Sequence, residues 1–234
     1  EEFDYPVGDT NAYTTYEGAD GVPIGGIFRR AIYAWQFADF NILISSQVTQ
    51  DSRVLYHRNI RDRVSRIAPF LSLDTDPYIV VIDGRLTWVI DGYTVTDRFP
   101  YSEPVDGMGN YVRNSMKAVV DAYDGTVKLY ISDPNDPIIR TYARIFPGIF
   151  QPMDAMPDDL KSHMRYPQGM LTIQALMYRA YHMQDPQVFY NKEDLWSVPG
   201  KIAGGGEQEM EPYYTIMKLP EGKKDEFILL LPFT

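Results

Sequence analysis

The sequence has no cysteine. Disulfides, thiolate nucleophiles, zinc–thiolate centres and iron–sulfur clusters are therefore excluded. This fits a reducing cytoplasm and equally an exported protein of a cysteine-poor bacterium, so it does not choose a compartment. Histidine is scarce. His57, His163 and His182 are the full set of 3, no pair has the spacing of a metal-binding helix face, and each reads as an isolated surface or half-buried ring. No apolar run is long enough to cross a bilayer. No charged stretch followed by an apolar one marks a secretion signal at the start. Basic residues are outnumbered, 22 Lys and Arg against 32 Asp and Glu, for a formal net charge of -10. Such a surface repels phosphate backbones and anionic lipid, so nucleic acid is not expected as a partner.

Hydrophobic residues supply 44% of the 234 positions and charged residues 23%, enough for a folded core. Aromatics reach 14%, with 18 Tyr, a residue suited to half-buried surfaces and interfaces. The chain opens on Glu1-Glu2-Phe3-Asp4 and closes on Leu229-Leu230-Leu231-Pro232-Phe233-Thr234, which reads as a piece of a longer protein.

Residues 1–23 lack any period and read as an extended arm, with residues 24–234 expected to form one domain. From Ile24 the apolar positions Ile24, Ile27, Phe28, Ala31, Ile32 and Trp35 recur at helical spacing, predicting a helix to about Ser45. A second helix is predicted from Ser52 to Ile67, stopped by Pro69. Tyr78–Ile82 and Arg85–Ile90 flank Asp83-Gly84, a hairpin turn that sets Val81 against Leu86 and Ile79 against Trp88. Asp91-Gly92 repeats the signal and predicts a second turn or a bulge. Met108, Val112, Met116, Val119 and Val120 predict a helix over 108–123, and the alternation of 126–131 predicts a half-buried strand. Helices are expected at 138–146, 157–165 and 168–183, a flexible loop around Gly204-Gly205-Gly206, and a closing hairpin from 213–219 and 226–231. The fold class is α+β: an antiparallel sheet of the 78–96 hairpin, strand 126–131 and hairpin 213–231, covered by helices.

Few residues carry a chemical signal. Asp74-Thr75-Asp76-Pro77 places two carboxylates two residues apart, the arrangement that shares Mg²⁺, Mn²⁺ or Ca²⁺. Asp before proline is also a turn former, and this is the commoner role. Asp83 and Asp91, on the hairpin, join them as candidate catalytic carboxylates. Arg53, Arg58, Arg61, Arg63 and Arg66 crowd one segment, with Arg53, Arg58 and Arg61 the candidates for an anion. Because these arginines spread around the predicted helix, a solvated face pairing with surplus carboxylates is the plainer reading. The triple glycine lacks the Lys-Ser/Thr of a phosphate loop, and no Gly-x-Ser-x-Gly motif occurs. Trp88, Trp196, Tyr166, Tyr178, Tyr181, Phe189 and Tyr190, with Met164, Met170, Met177 and Met183, fit core packing first and a binding groove second.

Several longer strings go beyond composition. They include Asp51-Ser52-Arg53, Tyr56-His57-Arg58, Ala68-Pro69-Phe70-Leu71, Asp83-Gly84-Arg85-Leu86-Thr87-Trp88, Asn110 through Val127, and Asp185-Pro186-Gln187-Val188-Phe189-Tyr190-Asn191. In these the chain resembles uncharacterised protein family 0182, large bacterial membrane proteins with several transmembrane helices ahead of a soluble region. The resemblance runs nearly the whole length. It implies a membrane-tethered parent in the cell membrane and an extracytoplasmic position, and it carries over no catalytic residue. The expected partners are other portions of the same membrane protein or a separate protein. No cofactor is implied beyond a divalent cation at Asp74 and Asp76. The leading expectation is a membrane-anchored binding or interaction domain. The alternatives are a carboxylate- or metal-dependent enzyme acting on an envelope component and a structural part of a membrane assembly. The enzyme reading requires its carboxylates to meet in one cleft, and the structural reading predicts a broad exposed apolar patch.

Overall fold

The computed structural model describes residues 2–18, 21–203, 206–220, 222 and 224–234. In chain order it begins with strands β1 (Glu2–Val7), β2 (Thr10–Thr14) and β3 (Val22–Pro23), then helices α1 (Ile27–Gln36) and α2 (Asn41–Ile44). Strand β4 (Arg53–Val54) and helix α3 (Ile60–Ile67) follow, and then β5 (Ser72–Leu73), β6 (Tyr78–Ile82), β7 (Arg85–Thr96), β8 (Tyr111–Asp121) and β9 (Val127–Ile131). Helix α4 (Pro137–Ile145) leads to β10 (Phe150–Pro152) and to helices α5 (Asp158–Ser162), α6 (Gln168–Tyr178) and α7 (Pro186–Asn191). The chain closes on β11 (Gly200–Ala203), β12 (Gly206–Glu209), β13 (Tyr213–Met217) and β14 (Glu226–Leu230).

The class is α+β, as the sequence predicts. The central sheet runs β10-β9-β8-β7-β5, with β6 also paired to β7. All of its pairs are antiparallel except β9 with β10, joined through α4, so the sheet is mixed. The hairpin pairs Val81 with Leu86 and Ile79 with Trp88, as its turn dictates. Asp91-Gly92 does not turn the chain. β7 continues to Thr96, with an irregularity in its pairing to β8 between Gly92 and Thr94, so the bulge reading holds. The closing hairpin forms, but as a separate two-stranded sheet. Over the expected N-terminal arm, β1 and β2 pair antiparallel. Most of the predicted glycine loop, Gly204 and Gly205, lies outside the described residues.

The largest correction concerns 108–123, a central strand and not a helix. Met116 and Val120 satisfy a spacing of four, yet Val112, Met116, Ala118 and Val120 equally satisfy a period of two. Because β8 is buried on both faces from Ser115 to Val120, no polar alternation betrays it. Of the other predicted helices, α4 has its expected length and the rest are shorter. The first is broken after Gln36 and resumes at Asn41, and of the second only Ile60–Ile67 is helical, capped by Asn59.

Both faces of the central sheet are covered. On one face Ile90, Met116, Ala118, Val120 and Leu129 pack with Val64, Ala68 and Leu71 around α3 and with Ile139 of α4. On the other, Tyr78, Val89, Val119 and Tyr130 pack beneath Met156 and Leu160. The second face ends in polar residues, and these form the candidate site.

Candidate functional site

Asp91 on β7 and Lys117 on β8 stand directly opposite each other in the ladder, both buried. The Lys117 ammonium donates to Asp91 Oδ1, which also accepts from Asn114 Nδ2 at 2.8 Å. Burial pushes the Asp91 carboxyl upward, against the charge and hydrogen bond of Lys117 and the hydrogen bond of Asn114. Lys117 is further held 3.5 Å from the Arg165 carbonyl. Buried ions persist only when paired in this way.

Asp74 lies alongside. Its N–H donates to the Asp91 carbonyl at 2.9 Å, so the segment after β5 stays on the sheet. Its carboxylate accepts from the Tyr93 hydroxyl, from the Gly169 N–H at 3.1 Å and from the Asp76 N–H at 2.9 Å. Asp74 thus caps the start of α6 from another element. A side chain at Gly169 would displace this carboxylate, since a Cβ there would sit 2.7 Å from Asp74 Oδ2. Burial first, and the Asp74 carboxylate second, drive the Tyr93 phenol far up, so it remains a donor. Asp76 forms the half-buried rim. Its carboxyl is raised by burial, with Arg165 acting in the opposite sense. The Arg165 guanidinium lies 3.6 Å from the Tyr78 ring centroid and 4.8 Å from that of Tyr214. Burial pushes the Tyr78 and Tyr214 phenols up to about 12.

The fold therefore brings Asp74, Asp76 and Asp91 together, as carboxylate chemistry would require. It also uses two of them structurally. Asp74 caps a helix and Asp91 neutralises Lys117. Among the described residues no three His, Cys, Asp or Glu are placed to hold a metal ion. Asp83 is apart from the group, exposed in the hairpin turn at φ 50°. The arginines are apart as well. Arg53 donates to the Gly21 carbonyl, and Arg58 to the carbonyls of Ala122 and Tyr123. Arg63 donates to the Gly125 carbonyl at 2.7 Å, and Arg61 is exposed on α3. Arg58 and Arg63 thus fasten the turn between β8 and β9.

Sequence reasoning missed Lys117, Asn114, Tyr93 and Arg165, and it missed Asp136. Buried at the N-cap of α4, Asp136 accepts from Tyr111, Thr94 and Ser115 hydroxyls at 2.8, 2.6 and 2.7 Å, and from the N–H groups of Ile138 and Ile139. Burial is the largest single influence and pushes its carboxyl up. The hydrogen bonds of Thr94, Ser115, Tyr111 and Ile138 together outweigh it, and the net direction is down. Asp-Pro ahead of Ile138-Ile139 is the capping signal that could have found it.

Two open surfaces among the described residues bear on function here. A cleft of about 340 Å³ between the loop before β8 and α6 is lined by Val105, Met170, Ile173, Met177, Tyr178 and Tyr181, part of the predicted Met and aromatic set. The second surface is the outer side of α1 and α2. Phe28 is 84% exposed, Trp35 87%, Phe40 77% and Ile44 75%, with Ile27 and Ile32 also exposed. Only Ala34 of α1 is buried, and Arg30 on the inner side reaches the carbonyls of Ile24 and Val48. The helical period of α1 is real, but its apolar stripe points outward.

Comparison with known proteins gives one consistent result. The family model described as "Uncharacterised protein family (UPF0182)" matches residues 1–234. A UPF0182 protein of Pelotomaculum thermopropionicum is 55% identical over 234 residues, covering 100% of this chain and 26% of that protein. One from Geobacter sp. (strain M21) is 58% identical, again over 100% of this chain and 26% of its own length. One from Cupriavidus necator is 56% identical over 99% of this chain and 26% of its length. No solved structure matches. The chain spans about a quarter of the length of these relatives.

Proposed function

The chain belongs to the uncharacterised protein family UPF0182, and we propose that within it this segment is a membrane-anchored, extracytoplasmic interaction domain whose α1–α2 face docks on other portions of the same protein. The observation that carries the reading is the outward apolar stripe of Ile27, Phe28, Ile32 and Trp35, continued by Phe40 and Ile44. A stable soluble surface rarely leaves so many large apolar side chains contiguous and in water. About three-quarters of each relative lies outside the region matched here and offers the covering surface. Among the described residues no helix is long and apolar enough to cross a membrane, so the anchor is assigned to that remainder.

Accessibility labelling in the whole protein tests both parts. With other cysteines replaced, Trp35→Cys is expected to react with a membrane-impermeant maleimide only after denaturation. Ser65→Cys and Asp158→Cys, on exposed helix positions, are expected to react in intact cells. Free labelling of Trp35→Cys would remove the docking face. Labelling of the two reporters only after lysis would put the domain on the cytoplasmic side.

The convergence of Asp74, Asp76 and Asp91 favours a second reading, a carboxylate-based enzyme acting on an envelope component. Thermal unfolding in metal-free buffer with added Ca²⁺, Mg²⁺ or Mn²⁺ checks its metal-dependent form, since an ion bound only by the folded state raises stability by mass action. With Asp74 already accepting three hydrogen bonds, no ion-selective rise is expected. A saturable rise lost in Asp74→Asn/Asp76→Asn would reinstate the enzyme.

A further inference from the structure

The hairpin of β6 and β7 leaves one edge of the central sheet open. Its turn has two residues, Asp83 at φ 50° and Gly84 at φ 75°. In such a hairpin the residues beside the turn exchange hydrogen bonds, and every second pair thereafter does the same. Ile82, Val80 and Tyr78 thus bond to β7, while the N–H and C=O groups of Ile79 and Val81 point away from it. Beyond β7, no strand pairs with β6 among the described residues, and no other backbone hydrogen bond there reaches Ile79 or Val81. The side chains of Ile79 and Val81, with Leu86 beside them, form an exposed apolar shelf.

Exposed edges usually carry a lysine, a proline or a bulge that blocks further pairing. Tyr78–Ile82 has none of these. It is an uncharged pentad with an acid beyond each end, Asp76 and Asp83. Arg165 offsets Asp76 in part, and Arg85 is engaged by Asp121 at 2.9 Å and by Asp124 at 3.7 Å. A second copy pairing antiparallel about Val80 would set Asp83 of each chain against the Pro77 end of the other, beside Asp76. That repeats like charge at both ends, on chains of net charge -10.

From this edge we infer that β6 accepts an added strand: an extended, alternating apolar segment with Lys or Arg at its ends, supplied by the rest of the same polypeptide. Main-chain hydrogen bonds to Ile79 and Val81 give the pairing. The shelf and the two acids select the segment. A covalently linked segment has the advantage of high effective concentration. The inference uses the family membership, but a surface separate from the α1–α2 face, so either can fail alone.

The test is photo-crosslinking in the whole protein, with p-benzoylphenylalanine in place of Val81 and, as a control, of Thr75. The expected product from position 81 is an intramolecular crosslink to a basic-flanked apolar segment outside residues 1–234, absent from position 75. Asp83→Lys, on an exposed turn, is expected to lower its yield several-fold. A companion measurement is hydrogen exchange over 78–82. Val81→Pro removes no bond to β7, because that N–H faces outward, so the hairpin stays folded while the outer amide of Ile79 loses protection. A crosslink between two copies, a crosslink to another protein, no crosslink at all, or an Ile79 amide in the whole protein that exchanges as fast in the parent as in Val81→Pro would each overturn the inference.

Discussion

At the scale of single residues, the polar groups under α6 are the most sensitive points in the molecule. Lys117 and Asp91 are both buried, so removing one charge leaves the other unpaired in the core. Lys117→Met is expected to destabilise by about 3–5 kcal/mol, measured by urea unfolding. Asp91→Leu/Lys117→Met should recover most of that loss, because neither charge of the pair is left without the other. Gly169→Ala forces Asp74 and α6 apart and is expected to lose about 1–3 kcal/mol. Asp136 gives the pH dependence. Its folded-state carboxyl lies below the ordinary value, so its contribution is fully present above about pH 4 and is lost as pH falls through the depressed folded value. Asp136→Asn should be less stable at neutral pH and should show a shallower fall of stability below about pH 4 than the parent, in denaturant titrations across that range. Apart from the cap bonds of Asp136 to Ile138 and Ile139 and the Asp76 N–H on Asp74, these partnerships are distant in sequence. The Asp74–Asp76 spacing was visible, but the helix N–H that Asp74 caps belongs to residue 169, and the partner of Asp91 is residue 117.

At the scale of elements, legibility followed the match between local pattern and environment. The β6–β7 hairpin was readable to the residue pair because a two-residue Asp-Gly turn leaves one register. The α4 helix and the closing hairpin were readable from proline and turn chemistry. β8 was not, since a strand buried on both faces loses its alternation. α1 was readable as a helix from its period, but a period alone does not say which way the stripe faces, and the structure turns it outward. The difference is measurable. Phe28→Lys and Trp35→Lys are expected to change the stability of the 234-residue chain by no more than about 0.5 kcal/mol, as for exposed positions. A core helix would lose about 3–5 kcal/mol on truncating such aromatics.

At the scale of the whole molecule, a mixed sheet covered on both faces carries separate open surfaces on its periphery, and the isolated chain leaves all of them in water. Concentration-dependent self-association of the isolated chain is expected by light scattering, and Phe28→Lys/Trp35→Lys should suppress it. The buried pair at the sheet's centre bears on how the chain reaches this state. Sliding β8 by two residues along β7 keeps every side chain on its proper face, so apolar patterning alone tolerates the error. Such a slip would place Asp91 opposite Val119 or Ser115 and Lys117 opposite Val89 or Tyr93, stranding two charges in a dry interior. The ion pair thus acts as a register key, penalising a mispairing that apolar patterning alone would accept.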